Sequence, residues 1–243
     1  MNILHSLIDI IYPRRCCLCD KFLDNRHTGS DHFCGDCLNN FPEIEHPLCT
    51  ICGMSFESQV EEDHMCERCI RKPPFYDSLR APYIYEHGIM DAIHQMKYAG
   101  KSHLADSLGP LLASFARDWI GNTKGMLMMP VPLHPRKLRE RGFNQSLLLA
   151  KIMNPILETE LDFLSLRRVI YTKAQTGLKI KEREKNVRRA FGLDGKPDLK
   201  GRTIILVDDV ATTGNTMNEC ARVLKKAGCE KVFCLALART ANY

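Results

Sequence analysis

The chain reads as an α/β protein, a parallel sheet flanked by helices, with a small amino-terminal ribbon domain built around metal. Three features predict this. Four C-x-x-C pairs lie before residue 70. Beyond residue 77, short apolar runs alternate with helical patterns, the signature of a parallel α/β sheet. Near the carboxyl end, residues 203–216 (TIILVDDVATTGNT) join a buried-strand pattern to an acidic pair, a hydroxyl-rich turn and a helix.

The first residues are apolar at helical spacing: Ile3, Leu4, Leu7, Ile8 and Ile11. The run is too short to span a bilayer, which takes about 20 residues. It also lacks the basic start and cleavage site of a signal peptide. It is read as a helix docked on the body, and no transmembrane segment is expected. With 243 residues and 44% apolar composition, the chain has an ordinary globular make-up, enough for one large domain or two smaller ones. The net charge of +5 is unevenly placed: residues 1–75 hold 7 Lys/Arg against 12 Asp/Glu, the remainder 27 against 17. An acidic front and a basic body put an anionic ligand on the second module.

Eight of the 12 cysteines form the pairs Cys16/Cys19, Cys34/Cys37, Cys49/Cys52 and Cys66/Cys69, separated by 14, 11 and 13 residues. A C-x-x-C turn offers two thiolates to one ion, and two such turns complete a tetrahedral Zn²⁺ site. Regular pairs without a secretory signal argue for zinc over disulfides. The simplest assignment gives one zinc to Cys16, Cys19, Cys34 and Cys37, and a second to Cys49, Cys52, Cys66 and Cys69. Interleaved pairing fits the spacing as well. The segment has few large apolar residues, so metal should supply its folding free energy. Gly53 suits a knuckle turn that needs positive φ. Cys17 is read as a bystander, Cys220, Cys229 and Cys234 as small core residues. His27, His32, His46 and His64 are read as surface polar groups.

Around 71–76 (RKPPFY) the cysteines stop, and Pro73 and Pro74 make a stiff linker. The expected domains are therefore 1–72 and 77–243. Residues 79–85 read as a strand that Pro82 confines to an edge. Helices are expected over 88–98 and 104–120, the second with Leu108, Leu111, Leu112, Phe115 and Trp119 on one face. Lys97 falls at their junction, by default a solvated lysine. A strand follows at 126–131. The next stretch, 132–144, is read as a loop carrying Arg136, Lys137, Arg139 and Arg141, with Gly142 able to turn sharply. A helix over 144–157 and a strand over 166–170 come next. Segment 172–189 is polar and cationic and reads as a mobile piece that can close over a site, or as a loosely attached helix. Strands at 204–207 and 232–238 complete the alternation.

Residues 204–207 are apolar without a break, as in a strand buried on both faces of a parallel sheet. Asp208 and Asp209 follow, then Ala211, Thr212, Thr213, Gly214, Asn215 and Thr216 lead into a helix over 217–227 ended by Gly228. Backbone N–H groups and Thr hydroxyls at a helix start bind a phosphate. Two carboxylates at the strand's end accept sugar hydroxyls or reach Mg²⁺ through water. Together they suit a ribose 5-phosphate. Arginines in a loop after a buried strand suit a leaving pyrophosphate.

The 203–216 stretch resembles the motif that binds PRPP (5-phosphoribosyl 1-diphosphate) in type I phosphoribosyltransferases. The resemblance makes Asp208 and Asp209 the ribose contacts and 211–216 the 5′-phosphate loop. The C-x-x-C pairs, Lys97-Tyr98, PVPLHPRKLRERGFNQ at 130–145, Gln175, Gly177-Leu178, Arg183, Asn186, Ala190-Phe191 and LVDDVATTG at 206–214 are together similar to the ComF family of competence-associated proteins. That resemblance covers almost the whole chain. It implies an amino-terminal double zinc ribbon, a type I phosphoribosyltransferase-like body, PRPP as ligand, a cytoplasmic location and a role with single-stranded DNA or nucleotides. Two function classes follow. One is a Mg²⁺-dependent phosphoribosyltransferase of unassigned acceptor, with Arg136, Arg139, Arg141, Lys97 and Arg183 as pyrophosphate or loop contacts. The other is a single-stranded-DNA-handling protein, its ribbon domain meeting a competence helicase or another protein partner.

Overall fold

The computed structural model describes residues 13–23, 30–56, 62–171 and 189–241. The expected amino-terminal helix and the cationic 172–188 stretch, with Gln175, Gly177, Leu178, Arg183 and Asn186, lie outside these residues.

In chain order the elements are α1 (Gly35–Asn39), α2 (Glu67–Arg71), β1 (Ser78–Arg80), β2 (Tyr83–Ile84), α3 (His87–Tyr98), α4 (Ala105–Ile120), β3 (Leu127–Pro130), α5 (Pro135–Arg141), α6 (Gln145–Leu157), β4 (Glu160–Leu161), β5 (Leu166–Arg168), β6 (Phe191–Leu193), β7 (Thr203–Ala211), α7 (Asn215–Lys226) and β8 (Lys231–Arg239). The main sheet is parallel, in the order β1-β8-β7-β3-β4, with β2 also pairing β8. β7 is central because its 204–207 run is fully buried and has no polar face to spare. The strand expected over 79–85 is split: Ala81 and Pro82 interrupt it, and both halves still pair with β8. Pro82 has no N–H to give a ladder, so the break falls there.

The sheet carries a core on each face. One contains α7 residues Met217, Cys220 and Leu224 with Leu206 and Cys234. The other contains α3, α4 and α6 residues, among them Ile93, Leu108, Leu112, Leu149 and Met153, with Ile205 and Val207. The β3 crossover runs through α6 to β4 on one side, and the β7 crossover through α7 to β8 on the other. Between β3 and β7 the connections therefore diverge, and a crevice opens there at the carboxyl ends.

Two expectations need correction. The run at 166–170 was expected inside the parallel sheet. Instead β5 pairs antiparallel with β6 in a separate two-stranded ribbon. The place beside β3 is taken by β4, which emerges directly after the left-handed Glu158 cap of α6. The central strand was expected to stop at Val207. It runs on to Ala211 because β8 is equally long and pairs with it as far as Ala211–Arg239.

Candidate functional site

The cysteines come first, because they set where the ribbons sit. The Sγ atoms of Cys16, Cys19, Cys34 and Cys37 lie within 4.8 Å of one another, and so do those of Cys49, Cys52, Cys66 and Cys69. Sequential pairing is thus what the fold brings together. The Cys19–Cys34 and Cys52–Cys66 Sγ separations are 3.6 and 3.8 Å. A tetrahedron with Zn–S bonds of about 2.3 Å has edges of about 3.8 Å, so both donor sets fit zinc. Gly53 takes φ of +66° after the second knuckle, as expected, and a Cβ there would strike the Leu79 carbonyl.

The second site lies in the crevice. β3 makes its last pair at Pro130–Val207, and Val131 donates its N–H to the Val207 carbonyl at 2.8 Å. β7 continues four residues farther, supported by β8 alone. Asp208, Asp209 and Ala211 therefore stand over the space beyond β3. A cavity of about 430 Å³ forms there, with Lys97, Lys137, Arg141, Arg168, Gln145 and Ser146 in its wall facing Asp208–Thr216.

Asn144 builds one wall. Its Oδ1 caps α6 by accepting the Ser146 N–H at 3.1 Å, and its Nδ2 donates to the Val131 carbonyl at 3.0 Å. This holds the α6 start against the end of β3. Ser146 Oγ then donates to Asp208 Oδ1 at 2.8 Å. Burial and the neighbouring Asp209 push the Asp208 carboxyl up to about 7, against the pull of Ser146 and Lys97. Asp209 meets Lys97 Nζ at 2.9 Å with both side chains nearly enclosed. Burial works against the Lys97 charge, but Asp209 outweighs it and the lysine titrates above its ordinary range. Lys97 is therefore not the solvated residue expected by default. It reaches the cleft from the end of α3, and removing either partner leaves a buried charge uncompensated.

The stretch 132–144 is not a plain loop: 135–141 form the short helix α5, capped by His134 Nδ1 at one end and by left-handed Gly142 at the other. Helical spacing splits its cations. Lys137 and Arg141, four apart, face the cleft. Arg136 turns outward, paired with Glu140 at 3.0 Å and lying over Tyr171, and Arg139 is exposed. Burial and then the charges of Arg168 and Arg141 hold Lys137 below its usual value. Arg168 and Lys137 complete this wall although the sequence reading did not assign them to the site. Arg168 comes from β5, whose position no local pattern reveals. The α5 spacing, had it been read as helical, would have found Lys137.

The other wall is the turn before α7. Gly214 adopts φ of +72° beside the Tyr76 hydroxyl and, as the cap residue of α7, has no side chain to give the helix start. Ala211, Thr212, Gly214, Asn215 and Thr216 line the cavity; Thr213 is buried, its Oγ1 accepting the Asn215 N–H at 3.4 Å. Two buried amide nitrogens on this cleft, Gln145 Nε2 and Asn215 Nδ2, have no hydrogen-bond partner. Behind the turn, Arg68 of α2 donates to the Thr213 carbonyl at 3.2 Å and to Asn215 Oδ1 at 3.1 Å. A second cavity, about 490 Å³, separates the second ribbon from α7 on that side.

The double zinc ribbon domain family matches residues 7–70 and the phosphoribosyl transferase domain family residues 144–242. The DNA utilization protein YhgH of Escherichia coli K12 is 32% identical, the alignment covering 94% of this chain and 98% of that one. Competence protein F of Haemophilus influenzae is 31% identical over 88% and 93% of the two chains. Competence protein ComFC of Bacillus subtilis is 25% identical over 93% and 91%. With both domain families in this order and full-length relatives at this identity, the chain belongs to the ComF family, in which a double zinc ribbon is joined to a phosphoribosyltransferase domain.

Proposed function

We propose that the crevice between β3 and β7 binds PRPP with Mg²⁺, and that the protein transfers its phosphoribosyl group as part of DNA utilization or nucleotide metabolism. One observation carries this: Lys137, Arg141 and Arg168 converge on the same cleft as Asp208, Asp209 and the glycine-capped start of α7. Burial and then the charges of Arg168 and Arg141 work against the Lys137 charge, and a polyanion, here pyrophosphate, would relieve that. The α7 start and Thr212–Thr216 suit the 5′-phosphate, and Asp208 and Asp209 the ribose hydroxyls. Gln145 Nε2 and Asn215 Nδ2 supply donors that a ligand's oxygens would satisfy. Carboxylate and hydroxyl oxygens are hard donors, which fits Mg²⁺ held largely through water. When bound, the ion offsets charge on the departing pyrophosphate.

A second reading concerns the residues that face away. Arg136 and Arg139 lie on the outer side of α5, and Tyr171 is exposed beneath Arg136. Together they suit a single-stranded nucleic acid, with the base stacked on Tyr171. Phe191, another aromatic of this region, is buried and cannot serve. The acidic ribbon domain then suits a basic protein partner such as a helicase.

Calorimetric titration with PRPP, ribose 5-phosphate and phosphate, each with Mg²⁺, tests the first reading. Replacing Asp208 and Asp209 together by Asn should weaken PRPP about tenfold or more, since a charged hydrogen bond contributes about 1.5–3 kcal/mol. Inorganic phosphate should bind as before. Unchanged PRPP affinity in the double variant overturns the ribose assignment. With single-stranded DNA as ligand, Arg139→Ala should lower the salt slope by about one and Arg141→Ala should chiefly weaken PRPP.

A further inference from the structure

We propose that Cys17, His32 and His103 form an additional metal site, separate from the two tetrathiolate sites, that takes a borderline-soft dication such as Zn²⁺. Their ligand atoms lie within 4.8 Å of one another. None of the three is needed by a ribbon: Cys17 sits in the C-C-x-C run beside the ligands Cys16 and Cys19, and its first-ribbon set is already complete.

The placement is fixed by backbone. Cys17 donates its N–H to the His32 carbonyl at 2.9 Å, which sets these two residues side by side across the ribbon. His32 N–H donates to Ser30 Oγ at 3.3 Å, and Ser30 Oγ meets Ser107 Oγ of α4 at 3.0 Å. His103 comes from the body, in the 3₁₀ turn Ser102–Leu104 that Leu104 anchors by complete burial. The two imidazoles stand edge to face with centroids 4.8 Å apart, an arrangement in which their nitrogens can share one ion. The His103 backbone lies beside the His32 ring and can hold one of its nitrogens, which leaves the other for metal. Metal-binding histidines use their second nitrogen in this way. Asp31 and Asp106 lie close enough to act on His32 electrostatically and would offset part of a dication's charge.

Two imidazoles and a thiolate suit Zn²⁺ in tetrahedral geometry, with water in the fourth place. His103 is exposed, so this ion would exchange more readily than the ribbon ions. The site joins the first ribbon to the body, since Cys17 and His32 belong to one and His103 to the other.

The test starts from full-length protein with its ribbon metals loaded. Further Zn²⁺ is titrated by calorimetry, and Cys17 alkylation by iodoacetamide is followed by peptide mass spectrometry. Wild type should take up one further equivalent and protect Cys17. His103→Ala alters an exposed side chain. It should weaken that uptake about a hundredfold or more and leave Cys17 reactive, with ribbon metal content unchanged. No further uptake by wild type overturns the proposal. So does equal uptake and equal Cys17 protection in His103→Ala, which would mean surface binding unrelated to these residues.

Discussion

The two ribbons are built from the same motif and serve different surroundings. In the first, Cys19 is exposed and Cys37 half-buried, and its apolar residues Phe33 and Phe41 pack against α3 and α4. In the second, all four cysteines are buried and share a core with Leu79, Leu206, Met217 and Cys234 of the sheet and α7. Its backbone is bonded into the body: Arg239 donates to the Cys52 carbonyl at 2.6 Å, and Leu79 donates its N–H to the Ile51 carbonyl at 2.7 Å. Arg68, between Cys66 and Cys69, holds the turn that precedes α7. One metal knuckle thus supports a helical layer, while the other stands directly behind the proposed phosphate loop.

The largest expected difference comes from breaking each ribbon in turn. A structural zinc contributes on the order of 10 kcal/mol in small domains, against a total stability of about 5–15 kcal/mol. Cys69→Ser should therefore abolish cooperative melting and PRPP binding together. Cys19→Ser should lower the zinc content but change PRPP affinity by no more than about twofold, as for distant sites. Calorimetry and zinc analysis on both variants check this; equal loss of PRPP binding would erase the distinction between the ribbons.

Arg68→Ala isolates the link itself. Both ribbons should stay loaded, while PRPP binding weakens about threefold to tenfold, because charged hydrogen bonds to the turn are lost. Arg141→Ala, on the opposite wall, should cost at least as much, and Arg139→Ala should leave PRPP affinity unaltered.

The acidic pair offers a pH test. Burial and Asp209 raise the Asp208 carboxyl to about 7 in the folded protein, above its unfolded value. A raised acid favours the folded state only while protonated, so its contribution is unpenalised below the unfolded value and declines as pH rises through about 7. Ligand binding has the opposite sign, since ribose hydroxyls need the ionised form as acceptor. PRPP affinity should rise with pH up to about 7 and then level, and Asp208→Asn should flatten that rise. Breaking the first ribbon should leave the profile in place; a profile that shifts with Cys19→Ser would show the first ribbon coupled to the site. The smallest effect belongs to Lys21→Ala. Its pair with Asp36 on the first ribbon is exposed, so melting temperature and PRPP affinity should both stay as they are.

Much of this was legible along the chain. Four C-x-x-C pairs marked the thiols that the fold gathers into two clusters of four, because a knuckle's donor geometry is closed within a few residues. The 203–216 stretch declared a strand, a carboxylate pair and a helix start for the same reason: each is a local conformation with its own residue preferences. Asn144 likewise marked a helix start, whereas Gly142, expected to turn a loop, ends the unexpected helix α5. Tertiary structure decided what lies far apart in sequence. It chose sequential over interleaved cysteine pairing, put Arg168 into the cleft and β5 outside the parallel sheet, and matched Lys97 with Asp209. It also gave β7 its four residues beyond β3, since strand length depends on the partner β8. Such outcomes depend on which strands pair and where crossovers diverge. Those are set by the summed burial of many weak apolar contacts, which no short stretch of sequence contains.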